Sequence, residues 1–239
     1  MSIAQEIKSM TMNDIQAQIM EANNFRHATK VFDSEAKISE SEFNTILETA
    51  RLSPSSFGME PWQLLVIQST EKRELFREFA WGANGATNGT AGQLGTASHF
   101  CIFLAHTGAT MAHHSDYQQK HMKEVKQLPD EVIGFINDAF QKFQEHDFHI
   151  EGDRQIVDWS ARQAYIALGN MMTVAALMGI DSCPIEGFEM GKTIAVLEER
   201  FGIDPKLYKP AVMGAFGYRA DGPVFPKTRR KMEAVVSWV

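Results

Sequence analysis

The segment RLSPSSFGMEPWQLLVIQS, residues 51–69, joins the end of a predicted helix to the start of a predicted strand. Its first half contains turn formers and small hydroxylated residues, which usually lie exposed at a protein surface. Its second half contains the apolar run LLVI at 64–67, which predicts a buried strand. The segment predicts a helix-to-strand turn and raises the question of why a polar loop of small residues leads into a core strand.

Hydrophobic periodicity predicts helices and strands that follow one another along the rest of the chain. The predicted helices cover residues 11–24, 39–53, 71–80, 110–127, 130–146, 155–179 and 190–201. The predicted strands cover residues 63–68, 100–105, 182–185 and 211–217. Strands separated by helices indicate an α/β or α+β protein with a mixed sheet that is covered by helices.

Two of the predicted helices carry further signals. Ser39 and Glu42 have the spacing of a capping box, which marks the start of a helix. Residues 160–178 are apolar on most of the helix circumference. A helix of this kind must be buried on all sides, inside a core or at a subunit interface.

Length and composition narrow the class of protein. The chain has 239 residues, which favours one domain with a sizeable core, and its net charge of −7 disfavours binding to nucleic acid or to an anionic membrane. Cys101 and Cys183 lie in apolar runs and predict buried free thiols in a reducing, cytoplasmic setting. The first ten residues lack a secretory signal pattern, and the apolar window 164–180 is too short to span a membrane.

Several patterns imitate known sites without matching them. GANGATNGTAGQLG, residues 82–95, lacks the spacing of a dinucleotide fingerprint and predicts a flexible surface loop more than a phosphate cradle. EGFEMGKT, residues 186–193, has Glu186 where a P-loop requires glycine. No G-x-S-x-G surrounds Ser55 or Ser56, which disfavours a hydrolase.

Four histidines lie close together in sequence, at positions 106, 113, 114 and 121. Only His114 and His121 share a face of the predicted helix, and no cysteine or carboxylate completes a ligand set. The pattern therefore predicts solvated helix histidines and no metal site.

Positive charge is concentrated in two short runs. FRHATK, residues 25–30, places Arg26 and Lys30 at i, i+4, and PVFPKTRRK, residues 223–231, contains four basic residues. Each run alone is typical of a solvated surface. Together the two runs could clamp a phosphate, because arginine offers a planar fork of donors and lysine a point charge.

Five segments, in the same order along the chain, resemble the FMN-dependent nitroreductase family of the oxygen-insensitive bacterial type. They are RHATKVFD (26–33), ARLSPSSFGMEPWQLLVI (50–67), ASHFCIF (97–103), GNMMTVAALMGIDSCPIEGF (169–188) and FPKTRR (225–230). The resemblance implies an α+β fold with a central mixed, mainly antiparallel sheet covered by helices. It also implies a homodimer with two FMN molecules at the interface and a C-terminal extension onto the partner. Residues 1–239 would form a single FMN-binding domain, with a variable helical excursion at about 105–150.

The resemblance also implies which residues surround FMN. The residues expected at the phosphate are Arg26, Lys227 and Arg229, with His27 and Ala28 as main-chain and wall contacts. Those expected at the flavin ring are Lys30, Gln93, Pro184, Ile185, Glu186 and Gly187, with the main-chain N–H groups of the last two facing N5 and O4. Those expected from the other subunit are Pro54, Ser55 and Ser56. The loop at the start of the opening segment would then be small and hydroxylated because it packs against a cofactor.

Three positions depart from the family pattern. Ala28 stands where the family often has serine, so one hydroxyl hydrogen bond is missing. Gln93 stands where a lysine or arginine is frequent, so the reduced anionic flavin would be less stabilised. Thr90 takes the place of a usual asparagine, and because the loop at 82–92 is enlarged relative to the family pattern, Asn88 is an alternative for that role.

The activity implied by the resemblance is NAD(P)H-dependent, ping-pong hydride transfer through FMN N5 to nitroaromatics or quinones, without a catalytic side chain. The alternatives are a dihydropteridine or enone reductase of the same fold, a flavin-binding protein without turnover, and an acidic scaffold without flavin. In residues 130–149, four phenylalanines at 135, 140, 143 and 148 are candidates for stacking on planar oxidants. They are equally candidates for a local core, because Val132, Phe135, Ala139 and Phe143 fit one helix face.

Overall fold

The computed structural model describes residues 12–150 and 152–239, so the first residue of the predicted helix 11–24 and the first ten residues lie outside the described part. Within that part, four strands form one antiparallel sheet in the order β1–β2–β4–β3. The strands are β1 Trp62–Val66, β2 His99–His106, β3 Asp181–Ile185 and β4 Tyr208–Gly217. Parallel pairing is represented by an isolated bridge between Ala28 and Ser182. The predicted α+β class is confirmed.

The helices of the described part lie on both faces of the sheet. They are α1 Met12–Phe25, α2 Glu40–Arg51, α3 Thr70–Glu74, α4 Gly92–Thr96, α5 Gly108–Met111, α6 Asp116–Lys120, α7 Asp130–Lys142, α8 Asp153–Leu177 and α9 Met190–Phe201. Short π-helical turns follow α6 at His121–Val125 and α7 at Phe143–Asp147, and 3₁₀ turns occur at Ser56–Gly58 and Met232–Ala234. No helix among the described residues is long and apolar enough to cross a membrane.

Both faces of β2 are buried, and alternate residues of the strand serve the two halves of the core. Phe100, Ile102 and Leu104 pack with the α9 side of the sheet. Cys101 and Phe103 pack with α2 and α8 on the other side. The sequence of β2, a central strand, is therefore a nearly continuous apolar run, as expected for a strand with neither face exposed to solvent.

The start of α2 follows the sequence signal closely. The Ser39 hydroxyl accepts a hydrogen bond from the Glu42 N–H, and the Glu42 carboxylate accepts one from the Ser39 N–H. Two N–H groups that the helix itself cannot satisfy thus find partners. The predicted capping box is confirmed.

Three helix predictions are wrong in part. The helix predicted at 71–80 ends at Glu74, where turns replace it. The helix predicted at 110–127 is broken, because His114 adopts a positive φ of 61° between α5 and α6. The face of α7 that was predicted to be apolar does not turn inward: Phe135 is 74% exposed, while Ile133 and Phe140 are buried.

Segment 108–150 between β2 and α8 corresponds to the predicted excursion. Its apolar side chains form a separate cluster with the N-terminal part of α8, composed of Met111, Met122, Ile133, Phe140, Ile156 and Trp159, together with Met59 from the opening segment. Phe143 packs against this cluster, and Phe148 is more than half exposed. Phe140 and Phe143 are thus local core; Phe143 belongs to the face that was predicted to be apolar, whereas Phe140 does not.

Candidate functional site

The basic segment 26–30 is attached to the start of β3. Ala28 forms the parallel bridge to Ser182, and the Thr29 hydroxyl donates a hydrogen bond of 3.1 Å to Oδ1 of Asp181. The Thr29 N–H also points to the Ser182 carbonyl, at 3.3 Å. These contacts place Arg26 and Lys30 beside the strand that leads to Pro184.

An ion pair between Asp181 and Arg219 stabilises the contact between segment 26–30 and β3. Nη2 of Arg219 lies 2.6 Å from Oδ1 of Asp181, and Nε donates to Oδ2 at 2.9 Å. The same guanidinium lies over the Phe25 ring, with its central carbon 4.1 Å from the ring centroid, and donates to the Phe25 carbonyl. Sequence reasoning missed both residues. The available signal was an acidic residue at the head of an apolar strand, because a buried carboxylate requires a partner.

The two basic runs meet in one chain. The Lys227 ammonium donates to the carbonyl of Asn23 at the end of α1. Partial burial lowers the pKa of Lys227, and the positive charges of Arg26, Arg229 and Arg219 lower it further. Cations that repel one another at close range form a site for an anion, because a bound phosphate would relieve the repulsion.

Two buried polar atoms near the basic segment lack hydrogen-bond partners among the described residues. Nδ1 of His27 is buried and has no hydrogen-bond partner among the described residues. Burial and the nearby Arg219 charge lower the pKa of His27, so the contact of 3.7 Å to Asp181 is not a strong ion pair at neutral pH. The Ser182 hydroxyl is likewise buried without a partner in the described part. Cationic donors beside unpaired polar atoms fit a phosphate ester such as that of FMN.

Lys30 and Gln93 converge on one atom. The Lys30 ammonium lies 3.8 Å from Sγ of Cys183, and the Gln93 side-chain amide donates to the same sulfur at 3.4 Å. Lys30 is exposed, whereas Gln93 and Cys183 are buried. The structure therefore brings together the two residues that were predicted at the edge of the flavin ring.

The wall expected to line the flavin ring follows Cys183 directly in the sequence. It consists of Pro184, Ile185, Glu186 and Gly187. The Gly82 N–H donates to the Gly187 carbonyl at 2.7 Å, and a Cβ added at Gly187 would lie 2.8 Å from the Gly82 nitrogen. Glycine is thus required at position 187 by the close approach of two main chains. The Glu186 carboxylate accepts a hydrogen bond from the hydroxyl of Tyr165 on α8.

The loop at Pro54, Ser55 and Ser56 is anchored to α8 as well. The Ser56 N–H donates to Oε1 of Gln163 at 2.9 Å, and the Asn170 side chain donates to the Ser53 hydroxyl at 2.8 Å. Ser55 and Ser56 are half-buried and Pro54 is exposed.

The excursion holds the turn that follows this loop. Phe57 and Gly58 have positive φ angles of 55° and 59°. The Lys126 ammonium donates to the Phe57 carbonyl, and Nε2 of His121 lies 3.0 Å from the Gly58 carbonyl. A left-handed conformation at a phenylalanine is unfavourable by itself, so these contacts maintain it.

The loop and Glu186 contact nearly opposite sides of α8 within one chain. Gln163 contacts the loop and Tyr165 contacts Glu186. Side chains two positions apart on an α-helix point about 200° away from each other. Among the described residues, no hydrogen bond or ion pair joins Pro54, Ser55 or Ser56 to the basic residues, so the chain does not bring these two groups together by itself.

The two sides of the base of the glycine-rich segment 82–95 approach each other closely. Gly85 and Gly92 have positive φ angles, and a Cβ on either would lie 2.3 Å from a main-chain oxygen. Residues 86–91 are exposed, and at their tip the Thr90 hydroxyl donates to Oδ1 of Asn88 at 2.7 Å. The prediction of a simple surface loop is therefore wrong for its base, and Asn88 and Thr90 both remain candidates for a flavin contact.

The environments of the four histidines at 106, 113, 114 and 121 differ from the predicted solvated helix surface. His106 and His121 are buried, and His114 lies outside any helix. Nδ1 of His106 lies 3.0 Å from the Thr110 hydroxyl, and Nε2 of His113 lies 3.1 Å from the Glu145 carboxylate. These are structural contacts of individual histidines. No group of three or more potential metal ligands occurs in the part of the chain that the structure describes.

Comparison with known proteins identifies the family of the chain. The model of the nitroreductase family matches residues 24–218. YfkO of Bacillus subtilis, provisionally named an NAD(P)H nitroreductase, is 49% identical over 229 residues, which are 95% of this chain and 100% of YfkO. A relative from Staphylococcus saprophyticus with the same provisional name is 47% identical over 229 residues, with the same coverage of both chains.

Solved structures show the same fold. A protein from Exiguobacterium sibiricum, provisionally described as a nitroreductase in complex with FMN, superposes with a TM-score of 0.71 at 25% identity and covers 92% of this chain and 97% of its own. The enone reductase CLA-ER, from a gut-bacterial pathway of fatty acid saturation, superposes with a TM-score of 0.72 at 21% identity and the same coverage. At 21% identity the second similarity concerns the fold alone.

Proposed function

The chain belongs to the nitroreductase family, and from this premise we propose that it is an NAD(P)H-dependent FMN oxidoreductase that reduces small nitroaromatic or quinone oxidants. The observation that carries the proposal is the contact of the Lys227 ammonium with the Asn23 carbonyl, which brings the C-terminal basic run beside the segment that carries Arg26. In an acidic protein, such a cluster of mutually repelling cations is best explained by a bound anion.

The described residues fit FMN in three respects. Arg26, Lys227 and Arg229 would hold the phosphate, with His27 and Ala28 beside it. Lys30 and Gln93 would face the ring edge, and the wall from Pro184 to Gly187 would line the ring. A single phosphate clamp suits FMN better than a dinucleotide, which would need a second phosphate site.

FMN, when bound, would supply the redox chemistry for ping-pong hydride transfer between NAD(P)H and the oxidant. The side chains named above would position the cofactor. The Glu186 carboxylate is engaged by Tyr165, which leaves it poorly placed to act as a free general base. We therefore assign no catalytic side chain.

The site would be completed by a second copy of the chain in a homodimer. The loop that contains Pro54, Ser55 and Ser56 is held on the side of α8 opposite Tyr165 and Glu186, so it would reach the flavin of the partner. The tail supports this arrangement, since Val224, Phe225 and Trp238 are each at least 80% exposed in the single chain. Exposed apolar side chains at this density mark an interface. The free, buried thiols Cys101 and Cys183 suit a cytoplasmic location.

The test is a visible spectrum of the purified protein during stepwise addition of NADH or NADPH, followed by release of the cofactor and its identification by mass. The proposal expects bound FMN that bleaches on addition of reductant and recovers with a quinone or nitroaromatic. Bound FMN that stays oxidised would indicate a flavin-binding protein without turnover, and FAD or no flavin after reconstitution would overturn the proposal. Profiling against dihydropteridines and enones would distinguish the remaining reductases.

A further inference from the structure

The Cys183 sulfur lies between the Lys30 ammonium and the Gln93 amide, the two groups expected at the edge of the flavin ring. It is fully buried on β3, opposite Ala215, and one residue before the wall that begins at Pro184. Its sulfur contacts Lys30 from the segment after α1 and Gln93 from α4, at 3.8 and 3.4 Å. These two side chains come from elements far apart in sequence, and the sulfur is the atom they share.

The chemistry of the sulfur determines what this contact can do. Burial raises the pKa of the Cys183 thiol above its ordinary range, although the Lys30 charge opposes the change. The thiol is therefore neutral at physiological pH, and neutral sulfur is a weak acceptor. It can hold an ammonium and an amide in place without neutralising the ammonium, and it can yield them to a stronger acceptor.

We infer, on the basis of the proposed function, that Cys183 is a positioning residue for FMN binding and reduction. Its sulfur keeps the Lys30 ammonium and the Gln93 amide together at the ring edge, where they stabilise the negative charge of reduced FMN. Loss of the sulfur frees a long lysine side chain, which then pays conformational entropy to return to the ring edge. The expected consequences are weaker FMN binding and a more negative reduction potential.

Four variants separate this role from simple core packing. Cys183→Ala and Cys183→Val both remove the acceptor, and the second also fills the space. Cys183→Ser retains an acceptor of nearly the same shape. Cys101→Ala is the matched control, since Cys101 is an equally buried thiol on β2 that contacts neither Lys30 nor Gln93. FMN affinity is measured by flavin fluorescence, and the reduction potential by equilibration with reference dyes.

We expect Cys183→Ala and Cys183→Val to lose about two- to tenfold in FMN affinity, the range of one modest hydrogen bond. Their potentials should be more negative, while Cys183→Ser and Cys101→Ala stay closer to wild type. In a background that carries both Lys30→Met and Gln93→Leu, the further substitution of Cys183 should change affinity by less than about twofold, because both partners of the sulfur are then absent.

Wild-type affinity and potential in both Cys183→Ala and Cys183→Val would overturn the inference and leave the proposed function intact. An undiminished effect of Cys183→Val in the background that lacks both Lys30 and Gln93 would also overturn it, because the residue would then act through packing. A wild-type protein that binds no FMN would instead overturn the proposed function, and the inference with it.

Discussion

At the scale of single residues, Asp181 organises the entrance to the site. Its carboxylate is 2% exposed and binds Arg219 through both oxygens, and it also accepts from Thr29. A buried charge is tolerated when it is paired and hydrogen-bonded in this way. The pair fixes the segment that carries Arg26 and Lys30, although neither Asp181 nor Arg219 is proposed to touch the cofactor.

Removal of Arg229 should weaken FMN binding more than removal of its neighbour Arg230. Arg229 contributes to the positive charge at Lys227, whereas Arg230 points to the Ala234 carbonyl in the tail. One hydrogen bond to a charged group contributes about 1.5–3 kcal/mol, so Arg229→Ala should lose roughly ten- to a hundredfold in affinity. Titration of the apoprotein with FMN measures both variants. Equal losses at the two positions would contradict the assignment of the phosphate clamp.

Glu186→Gln should keep substantial turnover. Glutamine has nearly the same shape and still accepts a hydrogen bond from Tyr165, and the main-chain groups at 186 and 187 are unchanged. Steady-state kinetics with NAD(P)H and a quinone provide the measurement, with FMN content as a control. A loss of more than about a thousandfold with FMN bound would indicate general acid–base catalysis by this carboxylate.

His99 makes the stability of the fold depend on pH. Burial, assisted by the positive charges of Arg73 and Lys37, lowers the pKa of His99 to about 4, and its ring stacks on Phe43 with centroids 3.7 Å apart. The unfolded chain binds a proton near pH 6.5, so this contribution is complete above that pH and is lost as the pH falls toward 4. The shift corresponds to about 3 kcal/mol.

The free energy of unfolding, measured in urea at several pH values, should therefore decline between about pH 6.5 and 4. His106 has the same direction of shift, so a His99→Gln variant should show a shallower decline that is not abolished. An identical slope in the variant and the wild type would show that His99 does not titrate in this range.

At the scale of elements, local signals predicted α2 and α9 closely. The Ser39 cap fixes the start of α2, and α9 ends at Gly202, which has a positive φ of 69°. The broken region at 110–127 was not predictable in this way, because long-range contacts interrupt the helical period. Side-chain amides of Gln118 and Gln144 both donate to the Met111 carbonyl at the end of α5. Periodicity carries no information about such partners.

In the candidate site, too, some features were predictable from local sequence and others depend on long-range contacts. The basic runs were visible in the sequence, and the resemblance predicted that they act together. The contact of Lys227 with Asn23 depends on the return of the tail to α1, which no local pattern encodes. Cys183 was recognised as a buried thiol, but its contacts with Lys30 and Gln93 depend on the packing of three elements.

The excursion should stabilise the strained turn at Phe57 through Lys126. Lys126→Met keeps most of the apolar stem and removes the ammonium that donates to the Phe57 carbonyl. We expect a loss of about 1 kcal/mol or more in the free energy of unfolding, because the carbonyl loses its partner while the turn stays strained.

Lys123→Met is the matched control for this test. Its ammonium pairs with the exposed carboxylate of Asp130, and surface pairs contribute about 0–1 kcal/mol. Urea unfolding of both variants gives the comparison. A Lys126 variant as stable as the control would show that the turn does not depend on this hydrogen bond.

At the scale of the whole molecule, apolar surface remains uncovered in the single chain. Tyr165, Ile166 and Leu177 of α8 are each more than a third exposed, as is the tail at Trp238. The sequence predicted burial of residues 160–178, and the family resemblance implied that the C-terminal tail lies on a partner. In the single chain only one side of α8 is buried, so the prediction is met only if a second copy covers the rest.

The most direct test of a shared FMN site is complementation in a mixed dimer. One chain carries Arg229→Glu in its tail, and the other carries Ser56→Phe in its loop; each homodimer should bind no FMN and be inactive. The two chains are co-expressed with different tags, and the mixed dimer is isolated through both tags. If tail and loop come from different subunits, one site carries both defects and the other carries none. We predict one FMN per mixed dimer and roughly half of the wild-type activity when the sites are independent. A mixed dimer without FMN and without activity would contradict the shared site, because every site would then contain a defect.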